Sequence, residues 1–327
     1  MRGWKALSAA LALGLLASCG PCGGSGGTGT TSSPTTPAPT AEPVTLTVGV
    51  IPIVDVAPIY LGVQQGFFKE QNLTLDLKLA QGGAAIIPAA VSGDYQFGFS
   101  NLVSEILAQS KGLKLKIVSQ GVQTGSDPNS DPWAILATNS AISQCKDLEG
   151  KTTAVNTLKN IGEVSIKAAC EAAGADVSKF KLIEMNFPDM LPAMQAGRID
   201  AMWSAEPFVT QAKLAGAHVI SYNVVAVQTH LPVATYFATA DYAAKNPGIV
   251  KRFIAAVNKS LDYANAHLAD VRTIVNTYAK IPAAVISAMV LPYWSHDLNK
   301  PGIDKVATLM VKYGLLTSKP DLAAMYY

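Results

Sequence analysis

The feature that most constrains the fold is a segment that occurs twice. Residues Ile87 to Ser100 align without gaps on Leu191 to Ser204, 104 positions later, and Pro88/Pro192, Ala89/Ala193, Gly93/Gly197 and Ser100/Ser204 coincide. Each copy reads as the end of a helix, a glycine turn and a strand. Upstream, Val48 to Ile51 corresponds to Thr152 to Val155 at nearly the same offset, and each is followed by a helical pattern. A chain made of two β-α-β-α-β units belongs to the α/β class. Two such lobes leave a cleft between them, where strand ends and the free N–H groups of helix starts face inward.

The first unit is the more legible. Thr45 to Ile51 predicts a strand, and Val56, Ile59, Tyr60, Val63 and Phe67 recur at helical spacing, with Asp55 placed to cap, Pro58 in the first turn and Gly66 as the stop. Leu73 to Leu79 alternates as a strand, a helix opens at Gly82-Gly83-Ala84 and ends at Gly93, and Tyr95 to Ser100 forms the next strand. In the second unit a helix is expected over Asn160 to Ala173, with a buried stripe of Ile161, Val164, Ala168 and Ala172 that leaves Cys170 nearly opposite. Val250, Phe253, Ile254, Val257, Leu261, Ala264 and Leu268 trace one face of a long helix beginning at Pro247, which should pack on the first lobe.

The beginning of the chain reads differently. Met1 to Ser18 has a basic start (Arg2, Lys5) and an apolar run from Ala6 to Ala17, an export signal too short for a bilayer-spanning helix, which needs roughly 20 apolar residues. Leu16-Ala17-Ser18-Cys19 resembles the lipobox of bacterial lipoproteins, which makes Cys19 the expected acylated residue. From Gly20 to Pro43, 20 of 24 residues are Gly, Ser, Thr or Pro, too little apolar surface to offset the entropy of ordering. The expected organisation is a lipoprotein signal at 1–18, a lipid anchor and disordered tether at 19–43, one lobe from 44–134 plus 237–327 and the other from 135–236. Trp133 to Thr138 and Thr235 to Ala240 would serve as the two hinges. In an oxidising compartment Cys145 and Cys170 would pair as a disulfide or lie as separate buried thiols.

Charge narrows the partners. The chain has 25 Lys and Arg against 23 Asp and Glu, and two of the basic residues are Arg2 and Lys5, so the chain after the signal carries 23 against 23. That balance argues against a nucleic acid or a general anionic surface. Only Arg198, Arg252 and Arg272 remain as arginines.

Ala57-Pro58, Gly66-Phe67-Phe68, Ser92-Gly93-Asp94 and Gln195 to Ala201 leading to Glu206-Pro207-Phe208 resemble the substrate-binding proteins of ABC importers, in the branch that takes nitrate, sulfonates, taurine and thiamine pyrimidines. The resemblance covers about Val44 to Leu316. It implies a periplasmic-binding-protein type II fold, a monomer without a cofactor whose lobes close on a small molecule and present it to permease and ATPase subunits, held at the outer face of the cell membrane by its lipid.

Strand ends and helix starts give the candidate ligand contacts: Asp55, Gly82, Gly83, Ser100 and Asn101 in the first lobe, and Asn156, Thr157, Asn160, Phe187, Trp203 and Glu206 in the second, with Tyr60, Trp133 and Tyr236 as weaker candidates. Each has a structural alternative. Asp55, Asn156 and Thr157 could be caps, Gly82-Gly83 a turn and Trp203 core. Glu206, if it faces the cleft, needs a donor such as a ligand amine or ring N–H, and otherwise pairs with a nearby Lys or a backbone amide. Because oxyanions are often gripped by forked guanidinium groups and no arginine falls at a cleft position, a pyrimidine or vitamin-precursor-like heteroaromatic ranks above sulfonate, taurine or nitrate.

An enzyme of the pyrimidine-precursor-synthase type and an extracellular sensor domain are the competing readings. His218, His230, His267 and His296 lack metal-ligand spacing, and there is no nucleophile elbow or Walker loop. Zinc is not expected, since neither Cys145 nor Cys170 has a cysteine two residues away.

Overall fold

The computed structural model describes residues 42–327. The signal at 1–18, Cys19 and all but the last two residues of the expected tether lie outside the described residues. Among the described residues there are ten strands: β1 (Val44–Val50), β2 (Leu73–Leu79), β3 (Phe97–Asn101), β4 (Leu115–Gln123), β5 (Trp133–Ala137), β6 (Thr152–Val155), β7 (Lys181–Glu184), β8 (Ala201–Ala205), β9 (His218–Ser221) and β10 (Pro232–Thr239). They form two five-stranded sheets, ordered β2-β1-β3-β10-β4 and β7-β6-β8-β5-β9.

The two sheets have the same plan. In the first, β1 pairs in parallel with β2 and β3, and β10 runs antiparallel between β3 and β4. In the second, β6 pairs in parallel with β7 and β8, and β5 runs antiparallel between β8 and β9. The repeated sequence segments end in β3 and β8, which occupy equivalent positions. Their matched glycines, Gly93 and Gly197, both turn at positive φ, 90° and 68°, where a side chain would be strained.

The chain changes sheet between Gln123 and Trp133 and again between Ser221 and Pro232. β5 therefore lies wholly in the second sheet and β10 wholly in the first, and neither acts as a connector. The sequence reading put the lobe boundaries at 134/135 and 236/237 and the hinges within these strands. Both strands are inner ones, paired along both edges and buried along nearly their whole length, so the crossings fall in the loops that precede them.

Three local expectations also change. Val56, not Asp55, holds the N-cap position of helix Ala57–Gln64, which has no side-chain cap. Gly66 (φ 80°) marks the stop as expected, but Phe67 opens a separate short helix and does not belong to the first. On helix Ile161–Ala172 the expected stripe is only half right: Ile161 and Val164 are buried, Ala168 is partly exposed, Ala172 is exposed, and Cys170 is fully buried. Cys170 is covered because it bonds Cys145, with Cα atoms 5.1 Å apart. The helix is also packed from several sides, by helices Leu102–Ser110, Asn223–Val227 and Lys300–Lys312.

Helix Pro247–Ala266 buries Val250, Phe253, Val257, Leu261 and Ala264 against helix Ala57–Gln64, helix Phe67–Glu70 and β4 of the first lobe. Ile254 is only half-buried, and Leu268, expected on the same face, is exposed. The helix stops at Ala266, His267 adopts φ −130°, and a new helix starts at Leu268, which resets the phase. Among the described residues no helix is long and apolar enough to cross a membrane.

Candidate functional site

A buried cavity of about 30 Å³ lies between the sheets and takes its lining from both. That is room for no more than a few water-sized groups. From the first lobe come Ile51, Ile53 and Asp55 just past β1, Phe99 and Asn101 of β3, and Val233 and Ala234 of β10. From the second come Trp133 of β5, Asn156 past β6, Asn160 and Ile161 at a helix start, Phe187 at another, and Trp203 and Ala205 of β8. The matched strands β3 and β8 thus deliver Phe99 and Trp203 to one chamber. A larger pocket of about 310 Å³ shares Phe187 with it and is lined by Pro52 and Leu79 to Gln81 on one lobe and Asn186 to Asp189 on the other.

The asparagines expected in the site close it. Asn101 Oδ1 accepts from Ser104 N (3.1 Å), which caps helix Leu102–Ser110, and also from Ile161 N (3.2 Å) in the opposite lobe. Asn156 Nδ2 donates to Gln81 O (3.1 Å), while Gln81 Nε2 donates to Asn156 O (2.5 Å). Asn160 caps its own helix through Glu163 N (2.9 Å) and donates to Asn156 Oδ1 (2.6 Å). All three are therefore held by protein partners.

Gly82 and Gly83 permit this approach. A Cβ on Gly82 would lie 3.0 Å from Asn156 Nδ2 and from Thr157 Cγ2, and one on Gly83 would lie 1.9 Å from Ser100 Oγ. Ser100 is buried beneath the Gly83 turn and donates to Asn101 O (3.2 Å), away from the cavity lining. Thr157 is buried beside Gly82 with its hydroxyl unpartnered.

Two carboxylates divide between the alternatives the sequence left open. Glu206 does not line the cavity. It is fully buried and accepts from Thr210 N (3.0 Å), Thr210 Oγ1 (2.6 Å) and Val290 N (3.0 Å), while its own carbonyl accepts from Val54 N (3.0 Å). It pins the second lobe to two segments of the first, and burial holds its carboxyl above the usual range. Asp55 is 2 % exposed, lines the cavity, and leaves Oδ1 unpartnered. Burial pushes its carboxyl up to about 8, against its own backbone and a hydrogen bond from Trp133.

Around Asp55 the groups are acidic or phenolic. Asp131, in the first crossing, is buried and accepts from Val225 N (3.1 Å). Its desolvation, together with the Asp55 charge, pushes it up to about 8. Tyr60, half-buried and stacked on Tyr278 with centroids 4.2 Å apart, is pushed up to about 12 by burial. Tyr236 is buried with its hydroxyl unpartnered, and it packs edge-on to Phe99 outside the lining. Tyr278 donates to Ile53 O (3.0 Å).

Trp203 is 3 % exposed and packs its ring over Gly162, with its indole N–H unpartnered. No arginine lines the cavity. Arg252 donates to the carbonyls of Glu42 and Gln71, Arg272 to those of Ile286 and Met289, and Arg198 is exposed. Among the described residues no group of His, Cys, Asp and Glu could hold a metal ion.

Sequence reasoning missed Asp131, Gln81 and Tyr278. Asp131 lies within Ser126 to Pro132, which reads as a polar turn; Gln81, one residue before the Gly82-Gly83 turn, was within reach of the helix-start argument.

A family model described as NMT1/THI5 like matches residues 53–269. The taurine-binding periplasmic protein of Escherichia coli (strain K12) is 26% identical over 187 residues, which are 57% of this chain and 56% of that protein. The match thus spans little more than half of that relative. The solved alkanesulfonate-binding protein SsuA from Xanthomonas axonopodis pv. citri, bound to MOPS, superimposes with a TM-score of 0.73 at 18% identity, over 88% of this chain and 99% of that one. The periplasmic nitrate-binding protein NrtA from Synechocystis PCC 6803 gives 0.73 at 14% identity, over 87% and 84%. The two-lobed architecture is that of the type II periplasmic binding proteins. With two matched lobes closing on one chamber and the family model covering most of the chain, this protein belongs to the NMT1/THI5-like family.

Proposed function

We propose that the protein is the solute-binding component of an ABC importer, taking up a small solute of the sulfonate, taurine or nitrate type outside the cytoplasm and handing it to permease and ATPase subunits. The observation that carries this reading is the chamber built from both lobes and shut by the Asn101–Ile161 and Gln81–Asn156 contacts. A solute that touches both walls favours closure by the interactions it lacks in the open form, and short crossings suffice for the motion.

The relatives named above bind taurine, alkanesulfonate and nitrate. The pyrimidine-like solute ranked first from sequence keeps two supports, the aromatic wall of Phe99, Phe187 and Trp203 and the arginine-free lining, and it stands as the second reading. Anchoring by an acylated Cys19, a monomeric state and binding without turnover complete the proposal.

Thermal melting with taurine, alkanesulfonates, nitrate and pyrimidines tests it: a solute at 100 times its Kd stabilises the fold by about 2.7 kcal/mol. If no member of the panel moves the melting temperature, the importer reading fails. A solute chemically changed after incubation would replace it with an enzyme.

A further inference from the structure

The chamber contains one orphan acceptor and one orphan donor, on opposite lobes. Asp55 Oδ1 has no partner, and the carboxyl is 2 % exposed on the first lobe. Trp203 Nε1 has no partner, and the ring is 3 % exposed on the second. An indole N–H only donates, and an ionised carboxylate only accepts. A buried polar atom without a partner is costly, so this pair specifies a molecule complementary to both.

The groups around Asp55 decide what the donor is. From β5 comes the Trp133 side chain, hydrogen-bonded to the carboxyl; from the C-terminal segment the Trp294 indole, which donates to Asp55 O (3.0 Å); and from the first crossing Asp131. Tyr236 and Tyr278 feel the same charge from β10 and helix Leu268–Ala279, and both also feel Tyr60 of helix Ala57–Gln64. None of these is a cation, and no lysine, arginine or histidine lines the chamber. A carboxylate in such surroundings is balanced only by positive charge brought from outside.

We propose that the solute carries a protonated nitrogen that donates to Asp55 and an acceptor group that receives from the Trp203 indole, so that one amine-bearing molecule bridges the two lobes. This rests on the solute-binding reading above. The chamber limits what lies between the two groups to a short linker; longer extensions would leave past Phe187 into the outer pocket.

Capture then displaces a proton. In the shut chamber without solute the Asp55 carboxyl, pushed up to about 8, holds its proton at neutral pH. Binding an ammonium leaves a carboxylate against it, and the proton goes to solvent. Affinity therefore rises with pH, by at most about tenfold per unit, and levels off above the carboxyl's own titration. A neutral heteroaromatic displaces no proton and shows no such slope.

The test is isothermal titration of the purified protein with 2-aminoethanesulfonate, its longer homologues, small amino acids and simple amines, each beside its des-amino counterpart, and with cytosine. The expected results are a preference of roughly 10- to 100-fold for the amine-bearing member, tightening from pH 6 to 8, and release of about one proton, read from buffers of different ionisation enthalpy. Asp55→Asn should abolish both the preference and the pH slope; the buffer comparison on the unaltered protein stands whether or not that variant folds. Equal affinity for the des-amino compounds, a pH-independent preference for cytosine, or no binding by any amine overturns the inference. In the first two cases the importer reading survives. Silence from every compound removes that reading too.

Discussion

Gln81 and Asn156 each donate a side-chain amide hydrogen to the other's backbone carbonyl, at 2.5 and 3.1 Å, and the two residues belong to opposite lobes. The reciprocal pair holds the lobes at the rim while leaving the chamber walls to the solute. Gln81→Ala removes one bond, and the closed state should weaken by about 1 kcal/mol. Asn156→Ala also strips Asn160 Nδ2 of its acceptor and should cost more, about 1–3 kcal/mol. Faster solute release in stopped-flow, with an unchanged melting temperature of the solute-free protein, checks that the loss is in closure.

Gly82→Ala and Gly83→Ala should fail in different ways. The Gly82 methyl meets Asn156 and Thr157 of the other lobe, so affinity falls while the solute-free fold melts as before. The Gly83 methyl meets Ser100 within its own lobe and should destabilise the protein by about 1–3 kcal/mol, as overpacking does. Melting and titration of the two variants side by side separate the effects.

Asp55 is raised from 3.8 to about 8. The unfolded chain then ionises this group before the folded one does, so its contribution to stability is most favourable below pH 4, declines as pH rises from there to about 8, and is level above. Asp55→Asn, which cannot ionise, should stabilise the shut, solute-free form at pH 7 by at most about 4 kcal/mol, and by much less at pH 4. Thermal melting of both proteins across that range checks the sign; a variant equally stabilised at both pH values would refute the assignment.

Cys145 and Cys170 close a loop with a sequence separation of 25. Constraining the unfolded chain over such a length contributes about 3 kcal/mol. Melting with and without a strong reductant should reveal that difference, provided mass spectrometry confirms the bond has opened.

How much of this was legible in the sequence follows from the range of the forces involved. The repeated Pro, Ala, Gly and Ser positions were readable because helix, turn and strand are set by neighbouring residues, and β2, helix Gly83–Ser92 and the start of helix Pro247–Ala266 fall where periodicity put them. Strand-end reasoning likewise placed Asp55, Asn101, Asn156, Asn160, Phe187 and Trp203 around one chamber. What it could not assign was which carboxylate is left without a partner. Glu206 is satisfied by Val290 N, 84 positions away, and Asp131 is buried by contact with Val225, 94 positions away. Nothing near either residue announces those bonds. The three arginines lie away from the chamber lining as read, because three residues are few enough to place one by one; the ranking of a heteroaromatic above a sulfonate that was drawn from them does not follow, since backbone amides can also bind an anion.

The position of β10 has a consequence for how the chain comes together. It is an inner strand of the first sheet, paired to β3 on one side and β4 on the other, yet it is made only after the whole second sheet. Residues 133–227 contain everything their sheet needs and can fold as soon as they are synthesised, whereas β3 and β4 must wait for a partner encoded more than a hundred positions later. The amino-terminal half is thus the last to be finished. Chains truncated after Leu231 should show it, with a protease-resistant fragment spanning 133–227 and a readily cut segment from 44 to 123; protection of both would refute the order.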